Sequence, residues 1–187
     1  KPITNLADLQ GLKFRIGGGM VNEISKSLGM NVTLKPAPES YELLSTGVMD
    51  GTLFPAESVE GFKIDKVIKH ATTFPGGLYN TSFVFMMNPA KYNALSAQDK
   101  AVVDKLSGEP AARLFGEGWD KVDAASRDGA QKAQGVNRIK ADQAFVKAVM
   151  DKQDYLETKW AASAMVKGLK DPKKVLAEFR AEIAKVK

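Results

Sequence analysis

The chain has 187 residues, 44% of them apolar and 26% charged, with a net charge of +5. That is enough for one ordinary globular domain, and it excludes disordered, collagen-like and mini-protein classes. The absence of cysteine excludes disulfides, thiolate nucleophiles and Cys-ligated metals, and suits an oxidising compartment. The single histidine, His70, excludes any multi-His metal site. No apolar run approaches the roughly 18 residues of a membrane span, and no signal peptide opens the chain at Lys1-Pro2-Ile3. Residues 1–95 hold 9 basic and 8 acidic side chains, and residues 96–187 hold 18 and 14. The later excess is interleaved with acids at helical spacing, as on a solvated helix surface, and not clustered as a nucleic-acid-binding stripe would be.

The first half alternates strands and helices. Leu12–Ile16 reads as a strand closed by Gly17-Gly18-Gly19, and Met20–Leu28 has helical period with Gly29 as its C-cap. Asn31–Lys35 is the next strand, stopped by Pro36 and Pro38. Glu39–Val48 is a second helix with Tyr41, Leu44 and Val48 on one face. After the Asp50-Gly51 turn, Thr52–Pro55 is short and extended, and Ala56–Phe62 is a further helical turn or two. The order predicts βαβ units and a parallel sheet. Residues 80–88 form the most apolar stretch and are expected to be a central strand buried on both faces.

The second half is helical. Ser96 with Asp99 makes a capping-box-like start to a helix reaching Leu106, and Glu109 to about Gln134 reads as one long helix despite three glycines. Residues 137–140 are extended. Asp142 caps a helix to about Lys167, with Phe145, Val149, Leu156 and Trp160 among its apolar positions. Asp171-Pro172 opens the last helix, whose expected core side is Val175, Leu176, Phe179, Ile183 and Val186. The fold class is therefore α/β with a helical C-terminal half.

Arg15 is the sharpest functional candidate. It ends an apolar strand beside Gly17, Gly18 and a helix start, where glycines permit close backbone approach and free N–H groups attract an anion. A guanidinium there can grip a carboxylate through two parallel hydrogen bonds, although a surface arginine at a strand end fits the local pattern equally well. The glycines make no dinucleotide site, because the third position of GxGxxG is Asn22, and no Walker lysine follows. His70 lacks a fixed partner and reads as structural. Asp50, Glu57 and Glu60 surround one loop as a conceivable acid–base pair, but Asp50 is more simply a turn former and Glu57 a helix-start residue. Phe54, Tyr79 and Phe83 fall at strand edges or loops, where open α/β sheets bind ligands, and core packing explains them equally well.

Leu9-Gln10-Gly11-Leu12-Lys13-Phe14-Arg15, then Leu28-Gly29, then Tyr41 to Gly51 ending in Ser45-Thr46-Gly47-Val48-Met49-Asp50-Gly51, together resemble the DctP-type solute-binding proteins of TRAP transporters. Those motifs run approximately DLKGLKIR, LGA and LQTGVVDG in that family. Met87-Asn88 and Tyr92 to Ser96 resemble its later strand-then-helix segment. The resemblance implies a two-lobed, periplasmic-binding-protein-like fold and a non-enzymatic periplasmic receptor without a cofactor. Its partners would be a small organic acid and the two integral membrane subunits. It implies that Arg15 is the carboxylate-binding arginine, and Gly17, Gly18, Phe54, Glu57, Tyr79, Asn80 and Phe83 are the further candidate ligand-binding positions. Where many members carry a QENP-like segment, this chain has Phe54 at the asparagine-like position. Pro55-Ala56-Glu57-Ser58 resembles instead a PWES-like branch with Ala56 for the tryptophan, which implies an apolar or aromatic acid and an enlarged pocket. Residues 1–80 would belong to the second lobe, 81–120 would return to an incomplete first lobe, and 121–187 would pack across and on the second lobe. With most of the first lobe lacking, an exposed strand edge at 81–87 would favour dimerisation or strand exchange. Two other readings compete: an enzyme, which would need a convergent acid, base or nucleophile that the sequence does not supply, and a structural interaction module, in which Arg15 would be idle.

Overall fold

The computed structural model describes residues 1–185. Its elements run β1 (Lys13–Ile16), α1 (Met20–Ser27), β2 (Asn31–Leu34), α2 (Ser40–Ser45), β3 (Gly51–Thr52), α3 (Ala56–Gly61) and β4 (His70–Thr73). Then come α4 (Pro89–Asn93), α5 (Ala97–Leu106), α6 (Glu109–Ala125), α7 (Gln131–Ala133), β5 (Asn137–Lys140), α8 (Gln143–Val166) and α9 (Pro172–Ile183). The first three strands form a parallel sheet in the order β2-β1-β3, with Arg15 opposite Thr33 on one side and Thr52 on the other. β4 and β5 form a second parallel pair, in which His70 faces Asn137.

The first βαβ unit folds as its sequence dictates. α1 buries Val21 and Ile24, one face of a 3.6-residue period, and ends in a Schellman cap. Gly29 takes φ +69°, its N–H donates to the Lys26 carbonyl, and the Met30 N–H donates to the Ser25 carbonyl. Gly51 is required for a different reason: a Cβ there would lie 2.5 Å from the Phe14 ring, so β3 can approach β1 only as glycine. The main core gathers Leu9, Phe14, Ile24, Leu28, Met30, Ala141, Phe145 and Val149. The α/β segment and the start of α8 therefore share one interior, although more than 90 residues of sequence separate them.

The long helix expected over 109–134 is continuous, but it contains one π-helical turn, Ser126–Ala130. That turn points the fully buried Ser126 hydroxyl at the Ala56 carbonyl, 2.6 Å away. Ser96, Asp142 and Asp171 cap α5, α8 and α9 as their sequence positions foretell.

Four expectations are corrected. Residues 80–88 form no strand: the segment has no ladder partner among the described residues, and Phe83, Val84, Phe85 and Met86 are exposed. Apolar alternation gives a segment the capacity to be a buried strand, but only neighbouring strands can satisfy its N–H and C=O groups. On α9, Val175, Phe179 and Ile183 are exposed and do not line a core, because only a limited contact with α8 covers that helix; Val186 lies outside the described residues. The second helix is shorter than Glu39–Val48. A 3₁₀ turn over Ala37–Glu39 leads into α2, Gly47 at φ +73° ends it, and Val48 falls beyond it and is exposed, as is Tyr41. Conversely, β4 is absent from the elements read in the sequence and arises because β5 supplies its partner from 67 residues away.

Candidate functional site

Arg15 sits near the C-terminal end of the central strand β1, between buried Phe14 and Ile16, and only 4% of its surface is exposed. The neighbouring strands impose this burial. Thr52 Oγ1 and Leu53 N both donate to the Arg15 carbonyl, and the Asp50 carboxylate accepts from Lys13 N at 2.8 Å, pinning the β1–β3 register. Asp50 is thus a structural tie and not a member of an acid–base pair; Glu60 is exposed on α3.

The guanidinium is held at one edge. Arg15 Nε donates to the Lys35 carbonyl at 2.8 Å, while its two terminal nitrogens have no acceptor among the described residues. No carboxylate lies within ion-pair distance of it among those residues. Burial pulls its pKa down from the usual arginine value, opposed by Tyr79 and Glu39 nearby. Those two nitrogens are not among the enclosed unpaired atoms, so they keep contact with solvent, and an anion is the ligand that fits a cation with a free donor pair.

Phe54 lies under this group, its ring centroid 4.6 Å from Arg15 Cζ, and stacks on Phe62 with centroids 5.6 Å apart and planes 14° apart. The loop carrying Phe54 is tied to α6 and the π turn. Asp123 accepts from Glu57 N at 2.9 Å, capping α3 from a distant helix, and Ser126 and Gln131 both reach the Ala56 carbonyl. Tyr79 is half-buried near both charges. Burial pushes its hydroxyl pKa up, with Arg15 opposing and Glu57 reinforcing the shift. Ser58 donates to one Glu57 oxygen, and the other is buried without a partner among the described residues.

These groups face one half-open, mainly apolar cleft of about 2090 Å³. All eight positions singled out in the sequence line it: Arg15, Gly17, Gly18, Phe54, Glu57, Tyr79, Asn80 and Phe83. Small-ligand sites occupy roughly 300–1,000 Å³, so the described residues make one broad wall of a site and not a closed pocket. Arg15, Phe54, Glu57 and Tyr79 cluster by contact or by charge. Phe83 stands apart, stacked on Trp119 at 5.0 Å, and Asn80 is exposed. Gly19, at φ +71°, precedes α1 and offers no side-chain cap to the helix start. Phe62, the Lys35 carbonyl and Asp123 are missing from the sequence-level site. Phe62 lies on the far side of α3 from Phe54 in the sequence, and Asp123 is 66 residues from the group that it caps. His70 pairs weakly with Asn137 at 3.4 Å, and no other side-chain hydrogen bond to it occurs among the described residues. No cluster of potential metal ligands occurs among the described residues, and none of their helices is long and apolar enough to cross a membrane.

The sequence matches the family model for bacterial extracellular solute-binding proteins, family 7 (DctP), over residues 1–163. The chain belongs to that family. It shares 43% identity, at a TM-score of 0.90, with a TRAP periplasmic solute-binding protein of Bordetella bronchiseptica holding (R)- and (S)-mandelate, covering 100% of this chain and 59% of that one. A TRAP solute-binding protein of Rhodoferax ferrireducens with copurified benzoate gives 29% identity and a TM-score of 0.88, over 99% of this chain and 58% of that one. The Comamonas testosteroni protein described as outer membrane transporter protein TsaT is 28% identical over 184 residues, 98% of this chain and 54% of that relative. The chain spans about half the length of the curated relatives it matches. It has the α/β architecture of the two-lobed TRAP receptors, a family of solute-binding proteins and not of enzymes.

Proposed function

We propose that this DctP-family chain carries the carboxylate-binding wall of a periplasmic TRAP receptor, and that the ligand is a small aromatic monocarboxylate passed on to the two integral membrane subunits. One observation carries the reading: Arg15, which lines the apolar cleft, has little exposed surface and no counter-ion among the described residues, and retains two terminal nitrogens without an acceptor there. Two parallel charge-assisted hydrogen bonds to a carboxylate fit that arrangement, and the ligand's apolar body would lie against the aromatic and aliphatic wall. Phe54, which puts an aromatic ring against the guanidinium, favours an aromatic acid over a sugar acid, and the mandelate and benzoate held by the two similar structures support the same class. Gly17, Gly18, Glu57, Tyr79, Asn80 and Phe83 complete the proposed lining. Residues 1–80 are assigned to the second lobe, 81–120 to the return towards the first, and 121–187 to the helices across and on the second. The unpaired segment 81–87 is assigned a strand partner in the first lobe or, failing that, in a second copy.

Thermal-shift titration with benzoate, mandelate, aliphatic, hydroxy and sugar acids tests the reading, with Arg15→Ala alongside. An aromatic acid at about a hundred times its Kd should add about 2.7 kcal/mol of stability. Arg15→Ala should erase the shift, and the unliganded melting temperature of that variant shows that it is still folded. No shift with any acid, or an equal shift in Arg15→Ala, overturns the reading.

A further inference from the structure

We infer that Phe62, acting through Phe54, is a positioning residue for the Arg15 guanidinium, so that an Arg15–Phe54–Phe62 stack sets how tightly a carboxylate is held. This rests on the receptor reading of the Arg15 site. The hydrogen bond from Nε to the Lys35 carbonyl fixes one edge of the guanidinium and leaves the plane free to swing about it. The Phe54 ring, 4.6 Å from Cζ, removes that freedom. Phe54 in turn lies nearly parallel to Phe62, and the two rings flank α3, so this six-residue helix folds the chain back to bring them together. Both rings are half-buried and neither belongs to the main hydrophobic core, so the pair is a local support under the charge. The Phe54 end of the support is anchored as well, because Asp123 and Ser126 hold the start of α3 to the long helix, and the Phe62 ring braces it from the other end of α3. A guanidinium held in one plane presents its two terminal N–H groups in the geometry that a carboxylate needs, and little rotamer freedom remains to be lost on binding.

Titration calorimetry on the wild-type protein, Phe62→Met and Phe62→Tyr, each with benzoate and with cyclohexanecarboxylate, tests this. Methionine keeps most of the volume and removes the ring; tyrosine keeps the ring. Positioning predicts that Phe62→Met weakens both acids by the same factor, roughly three- to tenfold, because the change acts on the carboxylate grip. Phe62→Tyr should restore both. A loss confined to benzoate would make Phe62 a contact for the ligand's ring and overturn the inference. An unchanged affinity in Phe62→Met overturns it too, as does a collapse of that variant's unliganded melting temperature, which would make Phe62 a packing residue. Wild-type protein that binds neither acid would instead bring down the receptor reading on which this one stands.

Discussion

Two stretches of this chain use the same kind of residue and reach opposite environments. In β1, Phe14 and Ile16 are 7% and 0% exposed; in the segment 81–87, Phe83 and Phe85 are 69% and 89% exposed. The second stretch is the more apolar of the two, so hydrophobicity did not decide the outcome. Pairing did: β1 has β2 on one edge and β3 on the other, while 81–87 has neither. A strand's burial is a property of its neighbours, and the same neighbours force Arg15 into the interior in an otherwise apolar strand.

The largest test of this contrast is a pair of truncations. Ile16→Ala should cost about 2–5 kcal/mol, because it empties a fully enclosed position. Phe85→Ser removes a larger side chain but should cost less than about 0.5 kcal/mol in urea unfolding, since Phe85 touches little beyond the Phe115 ring. The same Phe85→Ser protein should self-associate less than wild type by size-exclusion chromatography with light scattering. A large loss of stability in Phe85→Ser would mean that 81–87 is already paired in solution.

Glycines sharpen the comparison on a smaller scale. Gly51→Ala drives a methyl into the Phe14 ring and should destabilise by about 1–3 kcal/mol. Gly116, in the interior of α6, has open space where its Cβ would go, so Gly116→Ala should stabilise by about 0.5–1 kcal/mol through helix propensity. Thermal denaturation of the two variants should move in opposite directions. A neutral Gly51→Ala would show that β3 is looser than its register with β1 indicates.

The same contrast explains what could be read from the sequence. Local signals were legible: the Gly29 cap, the βαβ order, the Asp142 and Asp171 caps, and Arg15 beside three glycines. Each depends on residues within a few positions of one another. Misread or missed were the features made by distant partners. β4 exists because β5 pairs with it, residues 80–88 lack a ladder for want of neighbours, and α9 exposes Phe179 because little packs over it. The site divides in the same way. Arg15 and Phe54 stand out locally, whereas Phe62 under Phe54, the Lys35 carbonyl on Nε and Asp123 on the α3 start depend on tertiary geometry.

The smallest expected effect lies in the packed half and concerns pH. Lys159 on α8 hydrogen-bonds the Glu23 carboxylate on α1, joining two helices that flank the main core. That bond, then the charge of Lys159, holds the Glu23 pKa below the usual carboxylate value, and the reciprocal bond raises that of Lys159. For Glu23 the folded value is the lower one, so its contribution is present above the unfolded carboxylate pKa and is lost as pH falls through the folded value. For Lys159 the folded value is the higher one, so its contribution holds below the unfolded lysine pKa and fades as pH rises through the folded one. Both side chains are solvent-accessible, so salt screens the pair and the effect is slight. Glu23→Gln should therefore melt slightly below wild type at neutral pH, and the gap should close as the buffer is taken down through the carboxylate range or as salt is added. A gap that persists in acid would show that Glu23 acts through packing against α8 and not through its charge.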